Sequence, residues 1–188
     1  MPATRLQVFM DALGITPLPL ASESGVSRQA LLRIRLGLEE PRVGTVAAIV
    51  RACRRLSGKA VRAADLFDLG EPGTDPHLLL GVTEARKSLP LPLAEGETRL
   101  AALMTAHNLY PAQVATASRL SINRVSSYMN GIDDARLRNV RKLRAGLSLL
   151  VGRPVKANEV FDLGEDERDP RLRQLQRRGR SATKRQSH

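Results

Sequence analysis

The chain has no tryptophan, and aromatic residues make up only 3% of it. So few rings argue against a surface that binds single strands by stacking bases on side chains. A single cysteine, Cys53, excludes an internal disulfide. It falls on an apolar helical position, which fits a buried structural thiol. The three histidines, His77, His107 and His188, lie in unrelated places and give no metal-ligand spacing. No Gly-rich phosphate loop, paired-carboxylate motif or nucleophile elbow is present. An enzyme is therefore not expected, and neither is a metal or a cofactor. No apolar run approaches ~18 residues and no N-terminal stretch has the signal-peptide pattern. The expected compartment is the cytoplasm, with no membrane partner.

Acidic residues are also in short supply. Thirty Lys+Arg stand against 19 Asp+Glu, a formal net charge of +11. That imbalance points to a polyanionic partner, nucleic acid before an anionic membrane surface. The excess is uneven. Residues 171–188 hold seven Lys/Arg and no acid, so more than half the net charge sits in a short tail that should be disordered.

What the sequence does contain is an ungapped internal repeat. Thr4-Arg5-Leu6 recurs as Thr98-Arg99-Leu100, and Phe67-Asp68-Leu69-Gly70-Glu71 recurs as Phe161-Asp162-Leu163-Gly164-Glu165. Both pairings share a shift of 94, and 21 of the 68 aligned positions are identical. Solenoid units run roughly 20–50 residues, so a period of this length is a repeated domain. The expected organisation is a first domain at 1–71, a linker at 72–97, a second domain at 98–170 and the tail at 171–188.

Within each unit the apolar spacing is helical. Leu6, Phe9, Met10 and Leu13 recur every three or four residues, from about Thr4 to Gly14. Pro17 to Glu23 suggests a short helix, since proline is tolerated in a first turn. Ser24-Gly25-Val26 makes a turn, and Ser27 caps a third helix that runs to about Leu36. Val43–Leu56 is a fourth helix, and Ala63–Phe67 closes the unit. Asp65 and Asp68, matched by Glu159 and Asp162, read as residues that cap and finish this last helix. The second unit repeats the punctuation with Pro111, Ser121, Gly131 and Gly152. No segment alternates with period two, so no sheet is expected. The linker holds a predicted helix near His77–Lys87 and a stiff Leu89-Pro90-Leu91-Pro92 segment.

A short helix, a turn containing glycine and a Ser-capped helix form a helix-turn-helix arrangement. The segment Leu20-Ala21-Ser22-Glu23-Ser24-Gly25-Val26-Ser27-Arg28, followed by Ile34 and Gly37, resembles the phage-repressor (Cro/cI, or XRE) family. Pro41-Arg42-Val43 and Ala64-Asp65-Leu66-Phe67 are similar to its later helices. The resemblance covers most of 4–71 and, more weakly, 98–165, where Arg119 stands in place of the usual glycine. It implies an all-α chain of two tandem five-helix lambda-repressor-like domains, joined by a partly helical linker and followed by a basic tail. It also implies double-stranded DNA as partner, a nucleoid-associated place in the cytoplasm, and transcriptional regulation, more often repression.

The third helix can be examined on its own geometry. At about 100° per residue, Ala30, Leu31 and Ile34 centre near 250° while Arg28, Gln29, Leu32 and Arg33 centre near 70°. The second group therefore shares an outer face. Arginine can bond guanine O6 and N7, glutamine can pair with adenine, and leucine can touch a thymine methyl. The resemblance implies base reading at the same positions. The second unit offers Ile122, Asn123, Ser126 and Ser127 there, which either read a different half-site or serve another purpose. We favour the half-site.

Backbone-positioning contacts are expected from Ser27 and Ser121 at the helix starts, and from Arg42, Arg124, Arg136 and Arg138. The tail residues Arg177, Arg178 and Arg180 complete this set. The basic residues of the two fourth helices read as wet faces. Pro17 and Pro111 replace the residue whose N–H commonly grips a phosphate in the family, and Gln113 could supply a side-chain donor instead. Such a chain would be either a monomer with internal pseudo-symmetry, acting as a covalent pseudo-dimer on an imperfect palindrome or a direct repeat, or a homodimer. The competing reading is a protein-interaction module, antiactivator or antitoxin-like, that holds a regulatory protein.

Overall fold

Thr4 and Thr98 show how the repeated motifs build the structure. Each threonine is the N-cap of a helix, its Oγ1 accepting the N–H of Gln7 at 3.2 Å or of Ala101 at 3.1 Å. Each hydroxyl also donates to the end of another helix, Arg35 O and Met129 O, both at 2.6 Å. One side chain thus starts a helix and ties it to the helix two elements on.

The protein is described by a computed structural model covering residues 3–70, 93 and 97–165. The expected linker helix, the Pro-rich segment and the basic tail with Arg177, Arg178 and Arg180 lie outside these residues. Among the described residues the chain is mostly helical and has no strand, as the all-α expectation requires. The helices are α1 (Arg5–Ala12), α2 (Pro17–Ser24), α3 (Arg28–Arg35), α4 (Val43–Ser57) and α5 (Ala63–Leu66). They are followed by α6 (Arg99–Ala106), α7 (Pro111–Ser118), α8 (Ile122–Met129), α9 (Leu137–Val151) and α10 (Ala157–Val160). Every boundary of the second set lies 94 residues after its counterpart in the first.

The apolar stripes pack as the spacing demands. Leu6 and Phe9 from α1, Leu20 from α2, Leu31 from α3, and Val46, Ile49 and Val50 from α4 are all buried. Leu100, Leu103, Val114, Val125, Val140 and Leu143 do the same in the second set. Cys53 is buried with them, and the loss of water pushes its thiol up to about 12. Tyr128 stands where the first set has Ile34, and its hydroxyl accepts a bond from Asn139 at 2.8 Å. Its ring meets Phe161 edge-on. The closing helix ends at Leu66, one residue earlier than its composition suggests, with Phe67 extended but still buried. Asp65 and Glu159 act as caps, accepting the N–H groups of Arg62 and Lys156.

The two sets meet, and the pattern of their meeting is informative. Val43 N–H donates to Ala135 O at 2.9 Å, and Leu137 N–H donates to Pro41 O at 3.4 Å. Arg42 and Arg136 lie directly opposite each other in an antiparallel bridge. Since 137 is the counterpart of 43 and 135 of 41, the two bonds exchange under the repeat.

The ends of the two sets add to this contact. Asp162 pairs with Arg51 of α4 at 3.1 Å, Glu165 accepts Ala63 N–H at 2.9 Å, and Arg54 donates to Glu165 O. In the opposite direction Arg141 of α9 bonds Asp68 O at 2.9 Å, and Arg144 donates to Gly70 O. The repeated Asp-Leu-Gly turn of each set therefore lies against the long helix of the other. Gly164 has a φ of 74°, and a Cβ there would strike the backbone of Ala47. Glycine satisfies both requirements at once.

Candidate nucleic-acid interface

The turn between α2 and α3 is built from backbone conformation first. Gly25 adopts the left-handed region at φ 68°, and Ser27 Oγ accepts Ala30 N–H at 3.2 Å to start α3. Buried Ser24 locks the turn, donating to Leu20 O at 2.6 Å and accepting Val26 N–H at 3.3 Å. Leu31 and Ile34 anchor α3 to the core. Arg28, Gln29, Leu32 and Arg33 are all exposed, as the helical arcs require.

The exposed face is not uniform. The side chains of Arg28 and Gln29 have no ion-pair or hydrogen-bond partner among the described residues. Arg33, by contrast, sits 3.4 Å from Glu39 in the loop that follows. That pair is solvent-exposed and therefore weak, about 0–1 kcal/mol. Arg33 and Arg35 in the last turn also face the negative end of the helix dipole.

The second set repeats the scaffold and changes the face. Arg119 takes the left-handed conformation of Gly25 at φ 54°, despite its side chain. Ser121 Oγ accepts Arg124 N–H at 3.4 Å, and Val125 and Tyr128 anchor α8. Ile122, Asn123 and Arg124 are exposed, while Ser126 and Ser127 are half-buried. Ile122 is 52% exposed, close to the 47% of Leu32. The face is short, apolar at one end and uncharged at the expected reading positions.

The expected backbone contacts divide. Ser27 and Ser121 are exposed N-caps, and Arg124 and Arg138 are exposed as well. Arg42 and Arg136 sit together at the junction of the two sets, and the Arg42 guanidinium lies 3.6 Å from Asp133. Gln113 spends its Oε1 on the N–H of Tyr110, capping α7.

The wet-face reading of the fourth helices fails for four arginines. Arg51, Arg54, Arg141 and Arg144 all bond the opposite set, and Arg141 also pairs with Glu40 at 3.0 Å. Arg55 pairs with Glu23 of α2. The sequence held one clue, the acids at Asp68 and Asp162 in the repeated motif, but not which arginine each would meet.

A cluster of acids, with no spacing in the sequence to mark it, also lies at the junction. Glu39, Glu40, Asp133 and Asp134 occupy equivalent places in the two loops leading to the junction. Burial raises the Asp134 carboxyl, and its bond from Gly44 N–H, 3.1 Å across the junction, only partly offsets this. Among the described residues no group of histidine, cysteine and carboxylate side chains could hold a metal ion. None of the described helices is long and apolar enough to cross a membrane. No family model, curated protein or solved structure matches the chain.

Proposed function

We propose that this chain is a sequence-specific, double-stranded DNA-binding regulator of transcription, a repressor by preference, built from two tandem Cro/cI-type helix-turn-helix domains. The observation that carries this reading is the exposed start of α3. A left-handed glycine and a serine cap deliver the Arg28 and Gln29 side chains to solvent, without partners among the described residues, on a helix whose opposite face is core. The net charge of +11 supplies the non-specific attraction such a protein needs. In this reading Arg28 and Arg33 bond guanines, Gln29 and Asn123 pair with adenines, and Leu32 and Ile122 touch thymine methyls. Ser126 and Ser127 line the second face. Ser27, Ser121, Arg42, Arg124, Arg136 and Arg138, with the tail's Arg177, Arg178 and Arg180, hold phosphates.

Fluorescence-anisotropy titration of the full chain against random duplex DNA, at several salt concentrations, tests the electrostatic half of this reading. Affinity should fall steeply as salt rises. Deleting 171–188 should weaken binding to every sequence and flatten that slope. A chain that ignores duplex DNA at low salt would contradict the reading.

A second reading is favoured by one observation. Leu38 and Ile132 are equivalent residues, 61% and 77% exposed, and Ile122 is exposed beside an uncharged face. Such apolar positions suit a protein partner, in the manner of an antiactivator. Tight capture of one regulatory protein without any preference among DNA sequences would favour it over the first.

A further inference from the structure

Two modules in one chain can be related by a two-fold rotation or by a head-to-tail step. The backbone bonds at the junction distinguish these. In a two-fold, isologous contact, if residue i meets residue j of the other copy, then j meets i. At the junction Val43 bonds Ala135, and the counterpart of Val43, Leu137, bonds the counterpart of Ala135, Pro41. The residues opposed in the bridge, Arg42 and Arg136, are each other's counterparts. A local two-fold axis passes between directly opposed residues of an antiparallel pair. That axis therefore also exchanges the two sets. The contacts of Asp68 with α9 and of Asp162 with α4 cross in the same way at the level of helices, through Arg141 and Arg51, which are not themselves counterparts. A head-to-tail arrangement would pair residue 42 with some position other than its own counterpart.

The two-fold applies to the backbone and fails for the reading faces. Arg28 and Arg33 exchange with the uncharged Ile122 and Ser127, and only the Gln29–Asn123 pair keeps its chemistry. Resting on the proposed DNA-binding role, we infer that one chain recognises a single inverted site made of two unlike half-sites, in one orientation only. The half under α3 is guanine-bearing, and the half under α8 is read through adenine and thymine. The junction fixes their spacing, so the chain itself takes the place of a dimer. A direct repeat does not fit this geometry, and a perfect palindrome wastes one face.

Selection of duplexes from a random library with the full chain tests this, followed by the mass of the complex on the enriched site. The expected result is one chain per duplex, with two different half-sites in opposite orientation at constant spacing. Inserting about five base pairs between them turns one half to the far side of the helix. That should cost about 100-fold in affinity, because the second module's linked contribution is lost. A variant carrying Ile122→Arg, Asn123→Gln, Ser126→Leu and Ser127→Arg should select a true palindrome of the first half-site. A direct repeat selected by that variant would overturn the inference. So would two chains bound to a symmetric site by the unaltered protein, or indifference to spacing. Enrichment of no sequence at all would overturn the DNA reading along with it.

Discussion

Helices α3 and α8 occupy equivalent places on equivalent scaffolds. Both start from a serine cap, both bury the residues at their fourth and seventh positions, and both follow a left-handed residue. Their outer faces have nonetheless diverged in charge, with two arginines beside Gln29 and Leu32 on one and none among Ile122, Asn123, Ser126 and Ser127 on the other. The core half of each helix is held by packing against neighbours, where a change of volume is costly. The outer half is held less tightly, its first residues exposed in both helices and only Ser126 and Ser127 half-buried. Retention of the scaffold with change of the face is what two different targets, joined on one frame, would require.

Several substitutions would break or sharpen that comparison. The largest effect is expected at Gly146, where the first set has Ala52. A Cβ at Gly146 would lie 2.6 Å from Ser118 N, so α9 approaches α7 closely at that point. Gly146→Ala should destabilise the protein by about 2–3 kcal/mol in urea unfolding. Ala52→Gly, the reverse exchange in the first set, should cost only about 1 kcal/mol. Equal costs would mean the two scaffolds are packed alike after all. Next comes Arg28→Ala, expected to weaken binding to the selected duplex by about 1–3 kcal/mol and to relax preference at one base. Its effect should vanish when the guanine-bearing half-site is scrambled.

A smaller gain is expected from Arg119→Gly. The arginine holds a left-handed backbone that costs a residue with a Cβ about 1–2 kcal/mol, and Gly25 shows the relaxed solution. The melting temperature should rise, with DNA binding unchanged. Glu39→Gln should release Arg33 from its acidic neighbour and remove a negative charge beside the reading face. Tighter binding by less than about 1 kcal/mol is expected, since the pair is exposed.

The smallest effect is one of pH. Burial alone would raise the Glu159 carboxyl, but bonds from Arg153 and the Lys156 N–H outweigh it and hold it below the usual range. A depressed carboxylate stabilises above its unfolded value and loses that contribution as pH falls through the folded one. Glu159→Gln should therefore flatten the acid side of the stability profile, read by urea midpoints between neutral and acidic pH. An unchanged profile would remove Glu159 from that account.

Local features were legible in the sequence because local physics sets them. Thr4, Gly14, Ser27, Gly37 and Gly58 mark helix ends through caps and left-handed turns, and each boundary falls within a residue or two of its sign. The face of α3 follows from angular position alone, and Arg28, Gln29, Leu32 and Arg33 emerge exposed. The junction was not legible. A two-residue antiparallel bridge at Arg42 and Arg136 has no period to detect. The partners of Arg51 and Arg54 lie 111 residues away. A basic run on a helix looks the same in sequence whether it faces water or a sister module. The ion pairs of Arg33 and Arg42 are illegible in sequence for the same reason, since a nearby acid becomes a partner only once the loop is folded.

The most direct test of the proposed reading is guanine N7 methylation interference on the selected duplex, where a methyl group blocks the arginine contact in the major groove. Interfering guanines should fall only in the half-site under α3, and Arg28→Ala should remove the signal of the guanine that Arg28 reads while that of Arg33 persists. Interference of equal strength in both halves, or none in either, would contradict the assignment of α3 and α8 to two unlike half-sites.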